Sequence, residues 1–265
     1  MVTVTESFVR SKSGDDRACE DGIVLTNDFI AVIDGSTDPF GRGTDRPTPG
    51  QLAMELTAEA IRNLPPSCDA HEMVDAVTNH VHANLPLDRS AAAAAITVYS
   101  VTRREVWRVG DTRFWWQGRP ATAPSKAIDV VTSEFRAALL TARLADGVSI
   151  DELRTTDPGR AAVLPLIQAQ ISFRNALGEW GYGAIDGTPV PSEYIDVVPV
   201  PIGVKELVLH TDGYVQSCPT LVDAEARLKE GLNADPLCIG ELRGTKAWLP
   251  GNDSFDDRAY IRLVL

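Results

Sequence analysis

Strand-like apolar runs occupy both ends of the chain, whereas helical periodicity fills its middle. Near the start, residues 23–25 and 29–33 are apolar and are joined by the turn-prone segment Thr26-Asn27-Asp28. Similar runs return toward the end of the chain, at residues 194–200, 206–210 and 259–265. This arrangement favours an α+β fold in which antiparallel sheets form a sandwich and helices pack on the outside.

Two capped helices are predicted between these strands. Thr48 with Gln51, three residues later, forms one capping box, and Asp69 with Glu72 forms another. Apolar residues recur at helical spacing after both caps, so each box marks the start of an amphipathic helix.

The central region adds a hairpin and a helical insertion. Residues 93–101 and 105–117 are predicted to be two partner strands, because both are rich in β-branched and aromatic residues. Helical periodicity then extends over residues 132–175, which we interpret as an inserted lobe. We expect residues 1–265 to form a single domain that includes this lobe.

Composition excludes several classes of function. The chain carries 37 acidic residues against 25 Lys and Arg, a net charge of −12, and lacks the basic patch of a nucleic-acid binder. No apolar run approaches the roughly 18 residues that span a bilayer, so no membrane partner is expected. Without a signal-like N-terminus, a cytoplasmic location is predicted. Four scattered cysteines indicate reduced thiols rather than a zinc cage or disulfides.

Acidic residues stand repeatedly at the ends of predicted strands. Asp34 and Asp212 each follow an apolar run and precede glycine, Asp256 precedes the last strand, and Glu20-Asp21 precedes the first. A single Asp in such a place is usually a turn or cap residue. Several carboxylates that converge repel one another unless a cation neutralises them, and Mg²⁺ and Mn²⁺ prefer such oxygen ligands. Together the acids predict a divalent-cation site.

The motifs around these acids resemble those of the type 2C (PPM) metal-dependent serine/threonine protein phosphatases, over nearly the whole chain. Glu-Asp at 20–21 is similar to the family's N-E-D, AVIDG at 31–35 to F-A-V-x-D-G, VGDTR at 109–113 to V-G-D-S-R, and LVLHTDG at 207–213 to L-x-L-x-S-D-G. Weaker similarities fall, in the family's order, at residues 90–97, 175–179 and 254–261. Seven motifs in one order are far more specific than any of them alone.

The resemblance implies a two-sheet antiparallel β-sandwich flanked by helices, with residues 132–175 as the flap lobe. It also implies two Mg²⁺ or Mn²⁺ ions, with Asp34 and Asp212 as catalytic residues. The metal-site residues that it implies are Asp34 as the bridge, the carbonyl of Gly35, Asp21, Asp212 and Asp256, with Glu20 acting through water.

The implied activity is hydrolysis of phosphoserine and phosphothreonine in proteins by a water that the two metal ions activate. Two alternatives remain open, because a fold does not fix a substrate. One is a phosphatase of small phosphorylated molecules on the same fold. The other is a catalytically weak pseudophosphatase that binds and regulates a partner.

Several positions depart from the family pattern. Ser36 stands where His or Met often follows the first Asp-Gly, and serine is a poor general acid near neutral pH. Gln216 stands where the family has an Asp that would join Asp111 in a third metal site, which weakens that prediction. Asp257 replaces the Asn of D-N, so either Asp256 or Asp257 could be the ligand.

The phosphate-binding arginine of the family is also displaced. Arg17 lies one place from the expected position and is the predicted replacement, with Arg10 and Lys12 as weaker candidates.

Overall fold

A computed structural model describes residues 2–41, 47–86, 91–119 and 126–265. Nine strands form two antiparallel sheets in this part of the chain. The strands are β1 (Thr3–Arg10), β2 (Asp21–Leu25), β3 (Phe29–Gly35), β4 (Ala94–Ser100), β5 (Glu105–Val109), β6 (Arg113–Trp115), β7 (Asp196–Pro199), β8 (Glu206–His210) and β9 (Arg258–Val264). One sheet has the order β1-β9-β8-β6 and the other has the order β2-β3-β4-β5-β7.

Six α-helices lie in the described part of the chain. They are α1 (Pro49–Arg62), α2 (Ala70–Asn84), α3 (Ala127–Ala145), α4 (Ile150–Thr156), α5 (Pro158–Ala169) and α6 (Leu221–Ala234). Apolar residues of α1 and α2 pack on the five-stranded sheet, and those of α6 pack on the four-stranded sheet. The inner faces meet through residues such as Val32, Leu209 and Ile261. The predicted sandwich flanked by helices is therefore confirmed.

Both predicted capping boxes are present at the helix starts. The Thr48 hydroxyl accepts a hydrogen bond from the amide of Gln51, whose side chain accepts one from the Thr48 amide. Asp69 and Glu72 make the same reciprocal pair at the start of α2. Local sequence therefore determines where these two helices begin.

The prediction of one strand over residues 105–117 is wrong. This segment forms two short strands in different sheets, β5 paired with β4 and β6 paired with β8. Between them, Gly110 has a φ of +90°, which favours glycine, and a Cβ atom there would collide with Ala95. The glycine lets the chain cross between the sheets, and this crossing places Asp111 at one end of the sandwich.

The described residues begin again at Ala91 after a gap, so the motif predicted at 90–97 falls partly outside them. Its described part enters β4, a strand in which every residue is buried. Among the described residues, none of the helices is both long enough and apolar enough to cross a membrane.

The helices α3, α4 and α5 occupy most of the predicted lobe, and α3 starts earlier than predicted, at Ala127. A buried guanidinium joins them to a distant part of the chain. The Arg136 side chain, with no exposed surface, pairs with Asp157 at 2.9 Å. It also donates to the carbonyl oxygens of Leu237, Cys238 and Gly244 at 2.8 to 3.1 Å. This arginine fixes the lobe against residues 237–244.

We predict that Arg136→Met will lower the free energy of unfolding by about 3–5 kcal/mol, because it leaves the buried Asp157 carboxylate without its partner. Arg143→Met, on the same helix, is the matched control. The Arg143 side chain is 52% exposed and lies 3.9 Å from Asp146, so its loss should cost less than about 1 kcal/mol. Urea denaturation measures both variants, and equal losses would contradict the role given to Arg136.

Candidate active site

A cavity of about 510 Å³ opens at the end of the sandwich where β3, β8 and β9 bring their acidic ends together. The lobe helices α3 and α5 form another part of its wall. The predicted site residues that line this cavity are Asp34, Gly35, Asp111, Asp212 and Asp256. Acids that lie more than 200 residues apart in the sequence therefore meet in one place.

Antiparallel pairing brings Asp21 next to Asp34. In the β2–β3 ladder these two residues lie directly opposite each other, so their side chains share a face of the sheet. Asp21 is buried, with 4% of its surface exposed, and its side chain is hydrogen-bonded to Thr211. Its Oδ2 atom is buried and has no hydrogen-bond partner among the residues that the structure describes. A buried carboxylate oxygen in this condition is costly unless a cation satisfies it.

Asp212 extends the pair to a cluster of three carboxylates. It follows β8 and lies within hydrogen-bonding reach of the Asp34 carboxyl. Burial, followed by the charges of Asp111 and Asp256, raises the pKa of Asp212 to about 6. Burial also raises the pKa values of Asp21 and Asp34 well above their usual range, and neighbouring carboxylates add to both shifts. These shifts indicate negative charge that the protein compensates only in part.

Gly35 is confined by the backbone around it. A Cβ atom there would collide with the carbonyl oxygens of Gly50 and Glu20. The Gly35 amide also donates to Glu20 O at 3.0 Å. Only glycine fits this close approach of three chain segments, which holds the end of β3 in place.

The two aspartates before β9 have different surroundings. Asp257 is buried and turned away from the cavity, where it accepts hydrogen bonds from the amides of Lys12 at 2.7 Å and Glu20 at 2.8 Å. Asp256 lines the cavity. Burial alone would raise the pKa of Asp256, but Lys246 and Lys12 hold it at about 2. The structure therefore favours Asp256 over Asp257 as the candidate ligand.

Glu20 is engaged by protein donors. Its carboxylate accepts hydrogen bonds from the hydroxyls of Thr37 and Thr48, each at 2.7 Å, and the Lys12 ammonium lies 3.4 Å away. Since Thr48 also caps α1, Glu20 ties the start of that helix to the site. Its predicted action on a metal through water stays a prediction.

Asp111 is paired with a lysine of the lobe. The Lys126 ammonium lies 2.7 Å from the Asp111 carboxylate and 3.8 Å from Asp129. Burial alone would lower the pKa of Lys126, but these acids outweigh it and raise that pKa. Gln216, at the family's third-site position, lies apart and bonds to Glu241 and Arg227. A third metal at Asp111 stays a prediction.

Arg17 does not line the cavity. Its side chain is 86% exposed and pairs with Asp15 at 2.9 Å, so its role in phosphate binding stays a prediction. Other cationic residues line the cavity, namely Arg113, Lys126, Arg160, Arg243 and Lys246. Of these, Arg113 lies in the VGDTR motif at residues 109–113. The others lie in segments without a motif, so only tertiary structure identifies them.

The donor chemistry fits a hard divalent cation at Asp21, Asp34 and Asp212, since all three offer carboxylate oxygens and Asp21 keeps one buried oxygen unpartnered. Asp256 differs, because both of its oxygens contact ammonium groups. In the described ranges, no three His, Cys, Asp or Glu residues form a ready-made metal cage. The side chains must therefore move closer together around an ion.

We predict that Asp212→Asn will change the pH dependence of stability in metal-free buffer. The folded-state pKa of Asp212 is about 6, whereas its ordinary value is 3.8. Between these two pH values the carboxyl keeps its proton in the folded protein but loses it in the unfolded protein. This carboxyl therefore destabilises the fold increasingly as pH rises from 4 to 6. The variant should gain stability relative to wild type across that window, as measured by urea denaturation.

Burial lowers the pKa of His210 to about 4, so this residue makes stability rise with pH, the opposite of the effect of Asp212. It is present in both proteins and cancels in the difference. A difference that stays flat from pH 4 to pH 7 would contradict the assigned charge state of Asp212.

Of the comparisons with known proteins, only the one with solved structures finds matches. No protein-family model matches the chain, and no curated protein matches its sequence. Among solved structures, the serine/threonine phosphatase Stp1 from Staphylococcus aureus has a TM-score of 0.52 at 12% identity, covering 100% of this chain and 95% of that chain. The PPM Ser-Thr phosphatase MsPP from Mycobacterium smegmatis, in complex with cacodylate, has a TM-score of 0.48 at 14% identity, covering 100% and 97%.

A third structure, the catalytic domain of the serine/threonine phosphatase PstP in complex with two manganese ions, has a TM-score of 0.49 at 16% identity and covers 100% of both chains. At 12% identity, the likeness to Stp1 shows the fold alone. This chain therefore has the fold of the type 2C (PPM) serine/threonine phosphatases, as its motifs predicted.

Proposed function

We propose that the protein is a metal-dependent phosphatase that hydrolyses phosphoserine and phosphothreonine in proteins. The observation that carries this proposal is the convergence of Asp21, Asp34 and Asp212, which form no ion pair among the described residues, beside a cavity lined by basic side chains. Carboxylates of this kind suit hard cations, and basic groups suit a phosphoryl anion.

Asp21 and Asp34 would hold the first cation, with Gly35 beside them, and Asp34, Asp212 and Asp256 would hold the second. Divalent ions bound there supply an acidified water and charge stabilisation for the phosphoryl oxygens. Mg²⁺ and Mn²⁺ both accept oxygen ligands, so either ion suits these residues.

The chain's own cations would orient the substrate. Arg113, Lys126 and Arg160 line the cavity from three different segments and can donate to a phosphoryl group from several sides. Arg160 is itself positioned by Thr245, whose carbonyl and hydroxyl oxygens accept from its guanidinium at 3.2 and 2.9 Å. Ser36 also lines the cavity but does not supply an effective general acid near neutral pH.

The lobe supports a macromolecular substrate. Val130, Ser133, Ile167 and Gln170 of the lobe segment face the cavity, so residues flanking a phosphorylated side chain would contact them. We propose that this lobe acts as the flap that selects phosphorylated proteins. A cytoplasmic location is consistent with such substrates and stays a prediction.

We predict Mn²⁺- or Mg²⁺-dependent release of phosphate from phosphoserine and phosphothreonine peptides, abolished by a chelator. Asp34→Asn should lower kcat/KM at least about a hundredfold, because it removes a charged group from the carboxylate cluster that would hold the cations. Asp75→Asn is the control, since it also removes one carboxylate but lies exposed on α2.

Hydrolysis in ¹⁸O-labelled water should place one solvent oxygen in the released phosphate, with no phosphorylated residue trapped. A preference for phosphorylated metabolites over peptides would redirect the assignment to a small-molecule phosphatase. If neither peptides nor metabolites released phosphate with either metal, the catalytic proposal would be overturned.

A further inference from the structure

The carboxylates at the cavity fall into two groups by their counter-charges. Among the described residues, Asp21, Asp34 and Asp212 form no ion pair with a lysine or arginine. Asp256, by contrast, has an ammonium group at each oxygen. Lys246 lies 2.7 Å from its Oδ2 atom and Lys12 lies 3.4 Å from its Oδ1 atom.

Lys12 is held in place by several groups besides Asp256. Its ammonium also lies 3.2 Å from the Thr37 hydroxyl, 3.4 Å from Glu20 and 3.5 Å from Asp257. Its backbone amide donates to Asp257 at 2.7 Å. These contacts hold the Lys12 side chain in one position near the end of β1.

Lys246 makes a simpler contact. Within the described ranges, Asp256 is its one ion-pair partner, and 29% of its side chain is exposed in the cavity wall. Its neighbour Thr245 accepts from Arg160, and nearby Gly244 accepts from Arg136, so the lobe positions this segment. The backbone that carries Lys246 is therefore fixed, whereas its side chain can swing away from Asp256.

We propose that Lys246 acts as a built-in counter-cation that competes with the second divalent ion for Asp256. This inference rests on the proposed function, because it concerns how the same site takes up metal. An ion that binds Asp256 must displace the ammonium, and until then it meets the positive charges of both Lys246 and Lys12. The first ion, at Asp21 and Asp34, displaces no ion pair among the described residues.

Metal uptake is accordingly stepwise, with one tight site and one weak site. Removing the Lys246 charge frees one oxygen of Asp256 and lessens the repulsion on an incoming cation. The second site then tightens, while the first site changes little because neither Asp21 nor Asp34 contacts Lys246.

Isothermal titration with Mn²⁺ tests this, with bound metal per chain measured independently by elemental analysis. Wild type should bind one ion tightly and a second at least about tenfold more weakly. In Lys246→Gln and Lys246→Met the second ion should bind at least about tenfold more tightly than in wild type. Lys229→Gln, which removes one charge from an exposed position on α6, should titrate like wild type.

Thermal unfolding without metal checks that all the variants are folded. Two equally tight sites in wild type, or Lys246 variants whose titrations superimpose on that of wild type, would overturn this inference and leave the proposed function standing. If no protein in the set bound Mn²⁺, the proposed function would fall, and this inference with it.

Discussion

Three closely placed carboxylates that form no ion pair among the described residues govern this end of the molecule. Asp21 and Asp34 are brought side by side by strand pairing, and Asp212 joins them from the opposite sheet. Close carboxylates raise one another's pKa values, and a shared cation relieves the repulsion. The sandwich provides the rigid frame for this cluster, because the acids stand at the ends of strands whose cores are buried. Stability and cation binding are therefore coupled at the same residues.

The remaining acids show how the protein stabilises negative charge by its own means. Asp111 has Lys126, Asp256 has Lys246 and Lys12, and Asp257 is saturated by backbone amides. Internal ammonium groups of this kind offset the repulsion between carboxylates, but they also occupy the oxygens that a cation would use. Acidic residues that look equivalent in the sequence thus differ in how readily they can bind an ion.

Local features of the fold could be predicted from the sequence, whereas long-range ones could not. Capping boxes and the β2–β3 hairpin depend on residues a few positions apart, and both formed as predicted. The helix α6 was missed although Ala224, Leu228 and Leu232 recur at helical spacing after the Thr220 cap, a signal that was present. Strand β1 was missed because its residues alternate between exposed and half-buried, which leaves a weak apolar pattern.

The candidate site also depends on long-range contacts that the sequence does not reveal. Motifs located the acids of the cavity, but nothing in the sequence marks Lys246 as a partner of Asp256. That contact exists because the buried Arg136 guanidinium ties the lobe to residues 237–244, and Arg160 of the lobe holds Thr245. The lobe residues that line the cavity and the lysine that contacts Asp256 are thereby fixed through one set of hydrogen bonds. Changes in the lobe sequence would therefore alter the surroundings of Asp256 as well as the wall of the cavity.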